Sequence, residues 1–232
     1  MKVISGVGSV LVLLSVAAAS GCTGLFHSNA QPEQVYYLRA PEVAGAAGAI
    51  APLVPPASVR VAHPLASPGL DNAHIMLVQS DQRMNFFAGS RWPSPAPDVI
   101  EALTVETLRA SAAWSSVEDA ASPFPSDYLL HSAVRRFEAD YTGGGAAPVV
   151  YVVIDCTIGR GEGREVIANF SASASAPAAA NRQSEVVAAF EEATRTALGS
   201  LSQQAAQAAR EDAQRHAQKS DKPGPSTSGP GR

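Results

Sequence analysis

Cysteine and lysine are both scarce in this 232-residue chain, and each shortage excludes something. There are two cysteines, Cys22 and Cys156. A disulfide framework is therefore not what holds the fold, which must rest on a hydrophobic core. Lysine occurs only at Lys2, Lys219 and Lys222, and the formal net charge is −4. A mildly acidic chain with scattered arginines offers no basic surface to a phosphate backbone, which argues against nucleic acid as a partner. The five histidines (His27, His63, His74, His131, His216) lack the paired spacing of a metal site. The nucleophile-elbow pattern Gly-x-Ser-x-Gly does not occur. No apolar run is long enough to cross about 30 Å of hydrocarbon as a permanent helix.

What the chain does carry begins at its N-terminus. Lys2 supplies a positive charge, Val10 to Ala19 form a short apolar core, and Ala19-Ser20-Gly21 place small residues directly before Cys22. That is a secretory signal whose cleavage site ends on cysteine, the arrangement read by the bacterial lipoprotein machinery. The thiol at the new N-terminus then takes a diacylglycerol thioether, so Cys22 is the expected lipidation site. Ala19 stands where leucine is commonest in such boxes. Each buried acyl CH₂ contributes about 0.8 kcal/mol, so two or three chains on one cysteine anchor durably. By resemblance to bacterial lipoproteins in general, Thr23 in place of Asp points to the outer membrane, with the protein facing the periplasm. Loss of Lys2 with the signal takes the net charge from −4 to −5, and use of Cys22 for lipid leaves Cys156 without a partner in the chain.

Four segments follow: a signal peptide over 1–21, a polar tether over 22–33, one domain over 34–201, and a helix extension with a disordered Pro/Gly/Ser tail over 202–232. Within the domain, strands are expected at Gln34–Arg39, Ser58–Ala62, His74–Gln79 and Arg83–Gly89, the last two joined as a hairpin by Ser80-Asp81-Gln82. Glu42 to Pro56 is Ala/Gly/Pro-rich and reads as a loop. Ser94 is a plausible cap with Pro95 at the first position of a helix ending near Ser111, with Ile100, Leu103, Thr107 and Leu108 on one face. Trp114–Glu118 is a candidate strand, and Pro123-Phe124-Pro125 a turn. The second half reads as a meander. Tyr128–Tyr141 is a long strand in which Arg135-Arg136 implies a bulge or an exposed edge. Val150, Val152, Ile154, Cys156 and Ile158 point one way in the next strand. The following strand, Glu165–Ser173, turns Val166, Ala168 and Phe170 inward. Asn181 caps a final helix with Val186, Phe190, Ala193, Ala197 and Leu201 on one stripe. No large apolar residue follows Leu201, so that helix is expected to run out into solvent. The fold class is α+β, two layers, with a mostly antiparallel sheet and two packed helices.

The catalytic readings fail on spacing or context. Gly159-x-Gly161-x-Gly163 superficially matches a dinucleotide loop, but it joins two strands and opens no helix to receive a pyrophosphate. The Gly143 triplet lacks the Lys-Ser/Thr of a phosphate loop. Cys156 lies on a Val/Ile face and reads as a small buried hydrophobe. Asp71 and Asp155 have no partner carboxylate to make an acid–base pair. No cofactor is implied. Two interaction features survive. The opposite face of the long strand carries Val149, Tyr151 and Val153, so its first half is apolar on both sides and one side needs a cover, either the second helix or another subunit. Arg91-Trp92 combines two residue types favoured at binding hot spots; the competing reading places Trp92 over the core with Arg91 in solvent.

In order along the chain, Tyr36-Tyr37-Leu38-Arg39, Val59-Arg60-Val61, Pro68-Gly69-Leu70-Asp71, His74-Ile75, Arg91-Trp92 before a helix, Arg136-Phe137-Glu138-Ala139 and Val187-Ala188-Ala189-Phe190 stand behind the lipobox. In this series the chain resembles the auxiliary lipoproteins of ABC-type transport systems, the group that includes the paraquat-inducible C lipoprotein, over roughly Cys22 to Leu201. Leu70-Asp71-Asn72 looks more like the branch beside ABC-linked mammalian-cell-entry (MCE) transporters. The loop at Glu42–Pro56 and the long C-terminal tail depart from the compact family pattern.

The resemblance implies a non-enzymatic part in moving phospholipids or other hydrophobic compounds between two membranes. Its implied partners are an ABC permease and ATPase, an MCE-domain protein, the outer membrane through the lipid anchor, and further copies in a homo-oligomeric ring. Arg91, Trp92 and Tyr151 are then the candidate partner-binding residues. The alternative is a pilot lipoprotein for an outer-membrane secretion or lipopolysaccharide pore, which asks the same of a sequence. A periplasmic enzyme or lipid carrier acting alone is a third reading, disfavoured by the want of a convergent catalytic set.

Overall fold

Val150, Val152, Ile154, Cys156 and Ile158 alternate along one strand, and all five side chains are buried. That strand organises the protein. In the computed structural model, described over residues 32–39, 50–162 and 165–220, contacts divide the chain after Glu33. Cys22 and the tail beyond Ser220 lie outside the described residues. The unit starting at Gln34 contains β1 (Gln34–Val35), β2 (Ser58–Val61), β3 (Leu65–Ala66), β4 (His74–Val78), β5 (Met84–Arg91), α1 (Ala96–Ala110), β6 (Ser116–Glu118), β7 (Tyr128–Asp140), β8 (Val149–Arg160), β9 (Val166–Pro177) and α2 (Gln183–Ser220).

The fold is α+β, as the sequence implies, and its sheet is mixed. The long pairings, β7 with β8 and β8 with β9, are antiparallel, as is the β4–β5 hairpin. Short parallel pairings add β2, β3 and β4 along the other side of β7, β6 onto β2, and β1 onto β5. Both helices lie on one face: α1 touches α2, β2, β3 and β6, while α2 lies on β7, β8 and β9. Val186, Phe190, Ala193, Ala197 and Leu201 all enter that core as expected. Full burial of a residue such as Phe190 or Ile154 contributes roughly 1.5–3 kcal/mol.

Several local expectations are corrected. The first strand is only two residues long, although Tyr36 N still donates to Arg91 O at 2.9 Å. Helix α1 starts at Ala96, one residue later than Ser94-Pro95 implies, and no side chain caps it. The Ala96 N–H donates instead to the Asn72 carbonyl at 3.0 Å, so the β3–β4 loop does the work of a capping hydroxyl. The strand expected at Trp114–Glu118 begins at Ser116. Asn181 does not cap α2: its Oδ1 accepts the Tyr141 hydroxyl at 2.7 Å, and Arg182 supplies the first carbonyl of the helix. Val166 is exposed, because the pairing of β8 with β9 shifts by one residue at Ile167. A one-residue slip turns the following side chain to the other face.

The bulge at Arg135 is present, between Val134 and Arg136. It lies in the middle of the sheet, because β7 pairs on both sides. The largest correction concerns the end of α2. Past Leu201 the helix stays on the sheet: Ala205, Ala206, Ala208, Ala209 and Asp212 are all buried. Alanine gives this stretch too little apolar bulk to announce itself, yet its small side chains let helix and sheet approach closely.

Candidate functional site

Strand β5 ends at Arg91 and α1 begins at Ala96, so Arg91 and Trp92 stand at the strand–helix junction. There the two side chains part. Trp92 is 0% exposed; its backbone N–H donates to the Ala73 carbonyl at 2.7 Å, while its indole Nε1 is buried without a hydrogen-bond partner. Its ring lies 5.2 Å from Phe190 edge-on and 5.6 Å from Phe137, while Phe137 and Phe190 are 5.1 Å apart. This three-ring cluster joins β7, the junction and α2, a geometry that adds about 0.5–1.5 kcal/mol per pair beyond area burial. Trp92 is thus a core residue and not a surface contact, which corrects its place among the partner-binding candidates. Arg91 is half-buried, with Nε donating to the Trp92 carbonyl at 3.1 Å and Nη2 to Pro93 O at 3.4 Å. Its guanidinium fixes the loop that leads into α1.

Tyr151 lies on the other side of the sheet, opposite Glu138 on β7 and Ser175 on β9. The bulge at Arg135 brings Arg136 onto the same face, 4.1 Å over the Tyr151 ring. Arg136 also donates through Nε to Glu138 at 2.5 Å and through Nη2 to Asp140 at 2.8 Å. Burial alone would raise the Asp140 pKa, but hydrogen bonds from Thr142 and Arg136 hold it below the usual carboxylate range. Met76 pairs with both Glu138 and Phe86, and Val78 with both Asp140 and Met84. Phe86 is 46% exposed and stacks on His74 with centroids 4.3 Å apart. The helices cover the even side of β8. Among the described residues no helix covers the odd side, where Val149, Tyr151 and Val153 form one band with Met84 and Phe86, tied by an ionic network.

A third cluster escaped the sequence reading. Asp212 is 2% exposed, and its Oδ2 accepts Arg160 Nη2 at 2.6 Å and the Tyr128 hydroxyl at 3.1 Å. Arg160 Nη2 also stands 2.5 Å from His216 Nδ1. Burial, the Asp212 charge and its hydrogen bond push the Tyr128 pKa up to about 12. The cluster borders a cleft of about 650 Å³ that also includes Ser58, Asp127 and Ser126. Ser58 donates through both N and Oγ to Asp127 at 2.7 Å, which holds the Asp127 carboxyl below its usual range. The Asp212 set ties β7 and β8 to α2, and the Ser58–Asp127 pair ties β2 to the loop that enters β7, an arrangement suited to locking elements together. A signal for it existed: Leu201, Ala205, Ala208 and Asp212 follow one helical stripe.

The glycines of Gly159-x-Gly161-x-Gly163 have a steric role where they are described. A Cβ on Gly161 would lie 2.0 Å from Ser126 O, and the Gly161 N–H donates to Asp127 O at 2.7 Å. The turn is glycine-rich because it presses against the strand-entry loop. Cys156 is buried, donates weakly to Ile154 O at 3.7 Å, and has its thiol pushed up to about 12, first by desolvation and then by Asp155. Native protein at pH 8 is therefore expected to leave Cys156 unlabelled by a maleimide, with full labelling in denaturant. Rapid labelling of the native chain at this position would contradict the burial. No group of three or more His, Cys, Asp or Glu among the described residues could hold a metal ion. No helix among them is long and apolar enough to cross a membrane.

The comparisons with known proteins decide the family. Residues 36–206 match the model of the ABC-type transport auxiliary lipoprotein component. The chain belongs to that family. No curated protein sequence matches it. Among solved structures, the fold of this family member is similar to protein XCC0632 from Xanthomonas campestris, at 23% identity and TM-score 0.68, covering 78% of this chain and 99% of that one. It is also similar to an uncharacterized protein at 15% identity and TM-score 0.54, with the same coverage. These likenesses show the fold. The family description supplies the coarse role, an auxiliary lipoprotein of ABC-type transport, and with it a membrane-anchored, periplasm-facing location.

Proposed function

We propose that this auxiliary lipoprotein is held at the outer membrane by lipid on Cys22 and couples an MCE-domain conduit to that membrane. An ABC permease and ATPase in the other membrane supply the energy, and phospholipid is the cargo. The role is non-enzymatic, and more than one copy takes part. The observation that carries this reading is the family match over 36–206 standing directly behind a signal that ends Ala-Ser-Gly-Cys. The band of Val149, Tyr151, Val153, Met84 and Phe86 supports it, because aromatic and methionine side chains crossed by an Arg–carboxylate network suit a protein contact. The contact set narrows from Arg91, Trp92 and Tyr151 to Tyr151 and its neighbours.

Crosslinking in native membranes followed by capture of this protein is expected to recover an MCE-domain protein. Tyr151→Asp is expected to reduce that recovery at unchanged thermal stability. Recovery of a secretin or lipopolysaccharide pore, with no MCE-domain protein, would replace this reading with that of a pilot lipoprotein. Separately, Cys22→Ala is expected to remove the protein from the outer-membrane fraction. If the variant still sediments with that membrane, lipid on Cys22 is not the anchor.

A further inference from the structure

The edge strand β9 differs from the other ends of the sheet. Among the described residues it pairs with β8 alone, over Val166–Pro177. Long free edges are usually guarded by charge, proline or a kink. On the opposite side of the sheet, β5 carries Arg91, kinks at Gly89 with φ +66, and is partly covered by β1. Strand β6, another end, has three residues. Strand β9 reads Val-Ile-Ala-Asn-Phe-Ser-Ala-Ser-Ala-Ser-Ala-Pro, with no ionisable side chain and its only proline at the last position.

The direction of its backbone groups can be worked out. Ala178 N donates to Pro148 O at 2.9 Å, so that pair is a hydrogen-bonded one. Hydrogen-bonded and non-bonded pairs alternate along an antiparallel ladder. Ala176, Ala174, Ala172, Phe170 and Ala168 therefore direct their N–H and C=O toward β8. Asn169, Ser171, Ser173 and Ser175 direct theirs to the free side. The run is bounded by Pro177, which has no N–H, and by the shift at Ile167.

We infer that β9 is a docking edge for β9 of a second copy, antiparallel about a two-fold axis at Ala172. This goes beyond the proposed function and does not rest on it. With Ala172 opposite its own symmetry mate, Ser171 faces Ser173 of the other copy and Asn169 faces Ser175. These are the residues with outward backbone groups, so the ladder closes with every outward N–H and C=O of the run paired. Any register displaced by a single residue opposes outward groups to inward ones. On the helix side of the sheet, half-buried Phe170 meets Ala174, so a large side chain faces a small one at both symmetry-related places. Only hydroxyl and amide side chains meet on the other side. Strand β9 itself brings no ionisable side chain to this ladder; the nearest charges are Arg210 and Glu211 on α2, beside Phe170, and Asp155 on β8, beside Ser171. A two-fold interface of this kind is self-complementary and closed, and it joins the two sheets into one.

The register makes the test specific. Diagonal neighbours across an antiparallel pair sit about 7–8 Å apart. Ser171 and Ser173 each have their own symmetry mate as a diagonal neighbour, whereas Asn169 and Ser175 are displaced from theirs by about 20 Å along the strands. Single variants Ser171→Cys, Ser173→Cys, Asn169→Cys and Ser175→Cys of the full chain are treated in native membranes with a short bis-maleimide of matching span. The expected result is a product of twice the chain mass for the first two and none for the last two. Adding Ser173→Pro to Ser171→Cys removes an outward N–H that the β8 ladder does not use, and is expected to abolish the product while the far-UV circular dichroism of the purified protein stays unchanged. No doubled product from natively folded Ser171→Cys and Ser173→Cys would overturn the inference. So would equal yields at all four positions, persistence of the product in the proline variant, or a product whose mass is that of another protein joined to this one.

Discussion

Trp92→Ala is expected to lower the free energy of unfolding by about 3–5 kcal/mol, the usual range for emptying a buried aromatic site. Three rings support the size of the effect. Trp92 is fully buried and touches both Phe137 and Phe190, so its loss leaves a hole between β7 and α2 that neither helix nor sheet can fill by itself. For a domain of this size the melting temperature should fall by roughly 6–20 °C. Arg91→Ala next to it removes hydrogen bonds to two loop carbonyls, and is expected to cost about 0.5–1.5 kcal/mol. Chemical denaturation of the two variants checks both values. A Trp92→Ala protein that unfolds like the wild type but no longer captures its transport partner would return this residue to the interface.

The second large effect is expected at the far end of α2. Asp212→Ala leaves Arg160, 28% exposed, without its closest carboxylate and the buried Tyr128 hydroxyl without its acceptor side chain. Removing one member of a largely buried ion pair costs about 3–5 kcal/mol, and the partial exposure of Arg160 places this case near the lower bound. The loss should be local as well as global, with amide exchange quickening over the last turns of α2 before β8 is affected. The same cluster sets an alkaline limit. Tyr128 is raised to about 12 in the folded protein against about 10 in an unfolded chain, chiefly by desolvation and then by Asp212. A raised folded value contributes stability that is complete below pH 10 and is lost as pH climbs through 12. Stability measured across that window should fall in the wild type. It should fall less in Asp212→Ala, where desolvation persists but the negative charge is gone. Identical slopes would mean that Asp212 does not act on the phenol.

Where alternation or helical spacing involved bulky side chains, the fold was legible. The buried face of β8, the stripe from Val186 to Leu201 and the bulge at Arg135-Arg136 all appear where the residues imply them, because a misplaced Val, Phe or Arg is costly. Misreadings fall where the deciding contact is remote or small. Asn181 has the chemistry of a cap, but Tyr141 takes its oxygen. Ser94 is passed over because the Asn72 carbonyl already meets the helix N-terminus. The alanines after Leu201 carry little hydrophobic signal, so a packed stretch reads as a free one. For the site, Arg91-Trp92 marks a true junction, but residue types alone do not tell an anchor in the core from an anchor in a partner. The Asp212 cluster stayed hidden because its members come from β7, β8 and α2, brought together only by the fold.

Helix α2 is 38 residues long, about 57 Å, and it is fastened near both ends. Phe190 holds one point through the ring cluster, and Asp212 holds another through Arg160 and Tyr128. They are 22 residues apart, which at about 3.6 residues per turn is close to six whole turns. The helix therefore behaves as a phased spacer. One residue inserted between Leu201 and Ala205 would rotate Asp212 by about 100° out of its pocket, and no substitution at the anchors could restore it. Length changes in this stretch are thus constrained by angle as well as by distance, which makes an alanine-rich segment with few chemical demands one of the least editable parts of the chain.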